Sequence, residues 1–397
     1  MHLSPGRIDA PGLAHSAWQG SLRVAGVLSG TSADGIDVGL AAIEVEAGRA
    51  GPPRLLAFET VPYTLELGAR VRAALDGAPT GLRAAALLHR DLGLAFGRAA
   101  AEVAARQGVE LDLVGSHGQT LWHHDGDPVC GPATLQLGDG DHLAAACGCA
   151  VVSDFRQAEL AAGGQGAPLS GYADGLVFAQ GRRPLVILNL GGLGNLTYLG
   201  PGGELLAFDT GPAGALLDGL ARRLLEAPMD RGGKVAASGR VLFPLVQEFL
   251  AHDFFQQPLP RSTGRDTFDG PWVEAFLAAG LALGGRPADL LASAVECVAA
   301  SVAQGLRDHV PAGPTTLWVA GGGVHHRPLM AALERLGGLR TRSVRGLGVD
   351  PDAREALVFA VLAALFVTGE PVLVSGAESP RPALLGRWSP APPAILR

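Results

Sequence analysis

The chain has 397 residues, 48% of them hydrophobic and 17% charged, with a formal net charge of −7. This composition supports a large core and excludes a mainly disordered chain, and the length suggests about two domains at ~100–200 residues each. A dedicated nucleic-acid-binding protein is also disfavoured, because it would need a surplus of positive charge to neutralise phosphates. The 57 glycines have no three-residue period, which excludes collagen.

The ends of the chain and its cysteines favour a soluble cytoplasmic protein with no membrane partner. Residues 1–20 form an N-terminal tail that lacks the basic start and apolar run of a signal peptide. The apolar stretch between Glu355 and Glu370 is shorter than the ~20 residues of a membrane span and predicts a buried helix. The four cysteines show neither paired zinc-site spacing nor the density of a disulfide scaffold: they are Cys130, Cys147, Cys149 and Cys297.

In the first half of the chain, a strand over 22–28 precedes a glycine-rich segment, 29–37, and a second strand over 38–46. Strand, glycine-rich turn and strand together predict a β-hairpin. Residues 70–106 have apolar side chains at helical spacing and predict two helices separated by glycine and proline. Another short strand is predicted over 111–115.

The second half repeats this pattern about 160 residues later. A strand over 184–190, a glycine turn over 191–195 and a return strand over 196–199 predict another hairpin. A strand over 205–208 follows, and a helix begins near Ala213. Three further elements are predicted near the end of this half: a helix over 291–305, a strand over 316–320 and a helix over 325–336.

The repeat indicates a duplicated α/β domain. We expect lobe I over 21–160, completed by about 356–397, and lobe II over 161–355. The ligand site is expected in a central cleft between the lobes.

Three glycine turns at strand ends are candidate phosphate-binding sites: 29–37, 191–195 and 321–323. Glycine lets the backbone approach an anion closely, and successive N–H groups can surround a phosphate. Asp34 would then need a cation beside the phosphate, and Mg²⁺ commonly binds there through water. Each turn alone also fits a simple tight turn, so the argument depends on their recurrence.

Asp209 follows an apolar strand, where a carboxylate would be held rigidly enough to act as a general base. The same residue could instead N-cap the helix that follows, and the sequence alone leaves both interpretations open. A metal-dependent hydrolase is a weaker hypothesis, because its candidate ligands match no defined zinc spacing. Those candidates are His117, His123, His124, Asp125 and Asp127.

Ten motifs in order resemble the sugar kinase/Hsp70/actin superfamily, and closely the anhydro-N-acetylmuramic acid kinase family. They span about residues 24–370. The motifs are SGTSADGID (29–37), GSHGQTLWH (115–123), TLQLGD (134–139), VSDFR (152–156), GGQGAPL (163–169), NLGG (189–192), FDTGP (208–212), STGR (262–265), AGGG (320–323) and PDAREA (351–356). The chain departs from the family at Ala213-Gly214 and at His326, where asparagine is common in both places.

The resemblance implies two actin-like, ribonuclease H-like lobes that close on ATP. It also implies a kinase that opens 1,6-anhydro-N-acetylmuramic acid with water and phosphorylates O6, in peptidoglycan recycling. Asp209 would be the general base, Glu355 a helper, and Asp34 would hold hydrated Mg²⁺. The family suggests a homodimer.

The resemblance assigns the remaining site residues to two ligands. ATP would be bound by Gly30, Thr31, Ser32, Ala33, Asp34, Gly35, Ile36, Asp37, Gly191, Gly192, Gly321, Gly322 and Gly323. The sugar would be bound by His117, Gln119, Thr120, Asp154, Arg156 and Gln165, with the positive charge of Arg156 suited to the lactyl carboxylate. The alternative within the superfamily is a non-catalytic, regulatory nucleotide-binding protein.

Overall fold

A computed structural model describes residues 18–30, 33, 35–75, 78, 80–124, 131–259, 261–264, 267–268, 270–374 and 381–392. The chain divides into two compact units. Unit 1 comprises 1–179 and 353–397, and unit 2 comprises 180–352.

The strands of the described residues are β1 (Gly20–Ser29), β2 (Gly35–Glu46), β3 (Arg49–Pro62), β4 (Leu113–His124), β5 (Ala133–Leu137), β6 (Ala150–Ser153), β7 (Leu185–Leu190), β8 (Leu193–Leu199), β9 (Leu205–Pro212), β10 (Thr316–Ala320), β11 (Arg340–Ser343), β12 (Val372–Val374), β13 (Arg381–Ala383) and β14 (Arg387–Ser389). The helices are α1 (Leu65–Leu75), α2 (Leu82–Arg106), α3 (Gly140–Cys147), α4 (Phe155–Ala161), α5 (Ser170–Val177), α6 (Gly214–Leu224), α7 (Phe243–Leu250), α8 (Gly270–Ala282), α9 (Pro287–His309), α10 (Arg327–Gly337) and α11 (Arg354–Thr368).

The two units contain the same five-strand arrangement. In unit 1 the order is β3-β2-β1-β4-β6, and β14 and β5 extend this sheet. In unit 2 the order is β9-β8-β7-β10-β11. In both sheets the first three strands pair antiparallel, and the last two run parallel to the central one. The predicted α/β class, the two hairpins and the duplication are therefore confirmed.

The division between the units differs from the predicted lobes. The first boundary falls at 179/180 instead of 160/161, and the second at 352/353 instead of about 355/356. The reason is α5, which belongs to unit 1 because Asp174 forms a fully buried ion pair with Arg354 of α11. Most of the predicted tail, 1–17, lies outside the described residues.

A row of three glycines lets α11 lie directly on the sheet of unit 1. Gly26 on β1 pairs with Gly39 on β2 and with Gly115 on β4. A methyl group on Gly26 would overlap the carbonyl oxygen of Ala356, and one on Gly115 would overlap that of Phe359. Thirteen of the fifteen residues of α11 are buried, as expected for the apolar helix near the C-terminus.

Gly26→Ala is therefore expected to lower the free energy of unfolding of unit 1. The added methyl group must push α11 away from the sheet, and overpacking of this kind costs about 1–3 kcal/mol or more. Urea unfolding followed by circular dichroism measures the change. Gly175→Ala in α5 is the control, because its methyl group would meet nothing within 4 Å. Equal unfolding midpoints for the two variants would contradict the close packing of α11.

In unit 2, α9 runs through the centre of the core. Among the described residues it is the one helix long and apolar enough to cross a membrane, but 89% of its most apolar window is buried. Its neighbours include α6, α7 and α10. Burial on this scale is typical of the central helix of a packed domain.

Candidate functional site

The candidate residues of unit 2 meet at one edge of its sheet. β8 is antiparallel to both β7 and β9, and β10 is parallel to β7. The carboxyl ends of β7, β9 and β10 therefore share one edge, which is where open α/β sheets bind ligands. The structure brings these predicted residues to that edge: Gly191, Gly192, Asp209, Gly321, Gly322 and Gly323.

Asp209 lies near the end of β9, where the pairing with β8 is irregular. Asn195 pairs with Asp209 and Gly194 pairs with Gly211, so Thr210 is an extra residue that forms a bulge. Bulges of this kind redirect neighbouring side chains and are common beside active sites. The predicted strand 205–208 consequently extends through the motif to Pro212.

The carboxylate of Asp209 is buried, and a backbone N–H group of a segment distant in sequence fixes it. Its Oδ2 accepts a hydrogen bond from the backbone N–H of Thr263 at 2.8 Å. Asp209 as a whole is only 4% exposed. The next helix, α6, has Ala213 as its N-cap and no side-chain capping bond. Asp209 therefore does not cap α6.

Arg261 supports Asp209 and was missed by the sequence analysis. Its Nε donates to the carbonyl oxygen of Asp209 at 3.2 Å, and Asp209 N–H donates back to the carbonyl of Arg261 at 2.9 Å. The guanidinium is buried over the rings of Phe208 and Phe254, at 5.6 and 4.9 Å. Burial lowers its pKa, while the charge of Asp209 opposes that shift. In the sequence, the available signal was an arginine directly before the STGR motif.

The glycine turn after β7 is held against the start of α6. The N–H groups of Ala213 and Ala215 donate to Gly192 O at 3.0 and 2.9 Å, and that of Gly214 donates to Gly191 O at 2.9 Å. A side chain on Gly214 would approach Gly191 O to 2.8 Å. Glycine at position 214 therefore avoids a close contact with the glycine turn.

The glycine turn after β10 does not lead straight into a helix. Gly321 donates its N–H to Pro351 O at 2.9 Å, and a 3₁₀ turn over Gly322–His325 intervenes before α10. The predicted helix start at His325 is therefore wrong by two residues. His326 caps α10 by accepting from Leu329 N–H at 3.3 Å, which is a role that asparagine also performs.

In unit 1, the predicted phosphate turn follows β1. Gly30 O accepts from Ala33 N–H at 3.2 Å and from Gln119 Nε2 at 3.3 Å, so this turn and the sugar-side motif touch. Gly35, Ile36 and Asp37 belong to β2, and Thr60 donates to the Asp37 carboxylate at 2.6 Å. Thr31, Ser32 and Asp34 lie outside the described residues.

The predicted sugar-side residues lie within β4 or after the end of β6. Arg156 Nε donates to His117 Nε2 at 2.8 Å, and Thr120 Oγ1 accepts from Gln136 at 3.2 Å. Asp154 has a left-handed backbone, with φ of 59°, immediately before α4. Burial raises the pKa of the Asp154 carboxyl, and nearby Arg387 opposes that shift. Gln165 is partly buried in the loop that follows α4.

Two histidines on β4 are buried in their neutral form. Burial lowers the pKa of His123 to about 3, and the positive charge of Arg156 adds to this effect. The same two causes lower the pKa of His117 well below its ordinary value. Nδ1 of His117 and Nε2 of His123 have no hydrogen-bond partner within the part of the chain that the structure describes.

These histidines predict that unit 1 loses stability in mild acid. Unfolded histidine has a pKa of about 6.5, so below that pH the unfolded chain binds protons that the folded unit excludes. The stability is complete above pH 6.5 and falls with decreasing pH, by at most about 1.4 kcal/mol per pH unit for each histidine. Urea unfolding between pH 7 and 5 should show this slope, and His123→Gln should reduce it. An unchanged slope in the variant would contradict the assignment to His123.

Glu355 occupies the first turn of α11 and is partly buried. It follows Arg354, whose buried ion pair fixes the start of the helix. Glu355 belongs to unit 1, whereas Asp209 belongs to unit 2.

The histidine cluster does not assemble a metal site in the described residues. No group of three or more histidine, cysteine, aspartate or glutamate side chains converges there in a way that could hold a metal ion. Asp125 and Asp127 lie outside the described residues. His123 instead contacts Thr134, with 3.2 Å between Nδ1 and Oγ1.

The family model for anhydro-N-acetylmuramic acid kinase matches residues 22–391. Three similar relatives carry that same name. The protein of Xanthomonas oryzae is 42% identical over 381 residues, covering 94% of this chain and 98% of its own. Those of Streptomyces coelicolor and Gloeobacter violaceus are 40% and 38% identical, covering 95% and 87% of this chain and 99% and 92% of theirs.

Among solved structures, an activator of 2-hydroxyisocaproyl-CoA dehydratase from Clostridium difficile with bound ADPNP is similar at 12% identity and a TM-score of 0.42. The match covers 87% of this chain and 96% of that one. So slight a likeness carries no argument about activity. The family match extends over nearly the whole chain and includes the candidate site residues of both units. The chain therefore belongs to the anhydro-N-acetylmuramic acid kinase family.

Proposed function

We propose that this chain catalyses the reaction of 1,6-anhydro-N-acetylmuramic acid, ATP and water to N-acetylmuramic acid 6-phosphate and ADP. In the anhydro sugar O6 is tied to C1 in an internal acetal, so no free 6-hydroxyl is present. Water must form the new bond to C1 while the C1–O6 bond breaks. O6 then takes the γ-phosphoryl group, and ADP leaves.

The fixed carboxylate of Asp209 is the observation that carries this proposal. An attacking water must lose a proton as its oxygen bonds to C1, and a rigidly held acceptor speeds such a step by about 10²–10⁴-fold. The Thr263 N–H and the bulge at Thr210 hold the carboxylate at the ligand-binding edge. Asp209 takes the proton of the water, whose oxygen becomes the C1 hydroxyl.

The glycine turns of unit 2 fit the phosphates of ATP. A methyl group on Gly191 would meet nothing nearer than 3.8 Å, and one on Gly322 nothing within 4 Å. The backbone is therefore open to a bulky anion at both turns, as close approach to phosphate requires. In unit 1, Gly30–Asp37 would contribute further phosphate contacts, and Asp34 would hold Mg²⁺ through water. The ion would neutralise charge on the phosphates.

The sugar-side residues are assigned by the family resemblance, and Gln119 of this set lies beside the phosphate turn of unit 1, where it donates to Gly30 O. We place His117, Gln119, Thr120, Asp154 and Gln165 at the sugar, with Glu355 as a helper. Arg156 already uses Nε and Nη1 within its own unit, on His117 and Gly166. Its guanidinium would supply the positive charge suited to the lactyl carboxylate.

The reaction would return a cell-wall fragment to amino sugar metabolism, which is peptidoglycan recycling in the cytoplasm, where ATP is available. The test is the purified protein with ATP, Mg²⁺ and the anhydro sugar. Mass spectrometry should find N-acetylmuramic acid 6-phosphate in a quantity equal to the ADP formed. ADP without any phosphorylated sugar would contradict the proposal, as would complete absence of turnover.

A further inference from the structure

Helix α4 presents two oppositely charged side chains to a single residue of the following loop. The loop is residues 163–169, here called the GQG loop. Arg156 Nη1 donates to the carbonyl oxygen of Gly166 at 2.6 Å, and the N–H of Gly166 donates to Oε2 of Glu159. Both polar groups of one backbone residue are therefore bound by residues three apart on one helix, which share a face.

The glycines of the GQG loop make this arrangement possible. A methyl group on Gly164 would overlap the carboxylate of Glu159. Gly166 has a φ of +79°, and a methyl group there would meet His123 at 3.1 Å. The loop can enclose the Glu159 carboxylate only because both positions lack side chains.

Without these hydrogen bonds, burial of the Glu159 carboxylate would cost much free energy. The residue is 4% exposed, and burial raises its pKa, while the Gly166 N–H, Tyr172 and Arg156 oppose the shift. Tyr172 Oη lies 3.0 Å from Oε1. An unpaired buried charge costs far more than a hydrogen-bonded one, so the carboxylate is stable only while the loop keeps its conformation.

We propose that Arg156 and Glu159 are positioning residues that hold the GQG loop, and with it Gln165, in the conformation that binds the sugar. This rests on the proposed function. Arg156 also contacts His117, so one side chain joins two sugar-side motifs. We expect the pair to contribute to affinity for the sugar, because the contacts described above join α4 to the sugar-side motifs at His117 and Gly166.

The test compares Glu159→Ala with the wild-type protein in two measurements. Steady-state kinetics should show the KM for the anhydro sugar raised at least about tenfold, as expected for losing hydrogen bonds to a buried charge. The KM for ATP should stay within about twofold. Hydrogen–deuterium exchange of a peptide covering 163–169 should be faster, because Gly166 N–H loses its acceptor.

Three further variants separate positioning from general destabilisation. Glu159→Gln should restore much of the sugar affinity, since its amide oxygen can still accept from Gly166. Gly164→Ala should act like Glu159→Ala, because it displaces the carboxylate. Gln157→Ala is the control on the same helix, since Gln157 donates to Thr134 O at 2.8 Å and not to the loop. It should change neither measurement.

An unchanged sugar KM in Glu159→Ala, or equal increases for sugar and ATP, would overturn the positioning role. If Glu159→Ala does not fold, the same criteria apply to Gly164→Ala. A wild-type protein inactive on the anhydro sugar would refute the proposed function instead. The exchange measurement would then still decide whether Glu159 holds the loop.

Discussion

Asp209→Asn is expected to reduce kcat at least about 100-fold while leaving nucleotide binding unchanged, because the amide cannot take a proton from water. Asparagine has nearly the same shape, and its side-chain oxygen can still accept the Thr263 N–H bond. The glycine turns that would hold the phosphates remain intact. The variant therefore removes the chemistry without removing the site.

The measurement pairs coupled-assay kinetics with ATP titration by calorimetry. Asp253→Asn is the control, because it removes the same charge from an exposed position in the same unit and should keep full activity. A Tm within a few degrees of wild type would exclude unfolding as the cause. Turnover of Asp209→Asn within tenfold of wild type would remove Asp209 from its proposed role.

Asp174→Asn is expected to lower the free energy of unfolding of unit 1 by about 3–5 kcal/mol. The Asp174 carboxylate and the Arg354 guanidinium form an ion pair with both side chains 0% exposed. Removing one charge leaves the other buried without compensation, which is the costly case. The pair also fixes α5 against the start of α11, next to Glu355.

Urea unfolding compares this variant with Asp91→Asn, which breaks an ion pair with Arg70 in the same unit. Those side chains are 23% and 35% exposed, so the change should cost at most about 1 kcal/mol. The double replacement Asp174→Leu with Arg354→Met should recover part of the lost stability, because no charge is then stranded. Equal losses of unfolding free energy in Asp174→Asn and Asp91→Asn would contradict the claim that burial makes the Asp174–Arg354 pair costly to break.

Much of the fold follows from local patterns in the sequence. The two hairpins were predictable because short apolar strands flank a glycine-rich turn in each half. The buried helix α11 was predictable from its uninterrupted apolar run. The strand order is repeated in the two units, and in unit 2 it brings the residues around Gly191 and Gly321 to one edge of the sheet.

Other features depend on long-range contacts that no local pattern shows. β3 was missed because its prolines and charged residues obscure an edge strand, although it pairs with β2 over most of its length. The assignment of α5 to unit 1 depends on Asp174 meeting Arg354, which is 180 residues away.

In the candidate site, too, some features follow from local sequence motifs and others depend on long-range contacts. The motifs suggested Asp209 and the sugar-side residues as candidates, but they did not show which contacts fix these side chains. Thr263 and Arg261 reach Asp209 from more than 50 residues away, and the bulge at Thr210 is a property of the strand pairing. No motif in the sequence singles out Glu159, and the positioning role proposed for it depends on its contact with Gly166.

The most direct test of the central claim, attack of water on C1 with capture of the phosphoryl group by O6, is turnover in H₂¹⁸O. The product is reduced with borohydride within seconds of quenching, which fixes the C1 oxygen before it exchanges with solvent, and unlabelled N-acetylmuramic acid 6-phosphate treated alike corrects for exchange. One ¹⁸O atom at C1 and none in the phosphate is the result that this account predicts. Label in the phosphate group, or an unlabelled C1 oxygen, would contradict it.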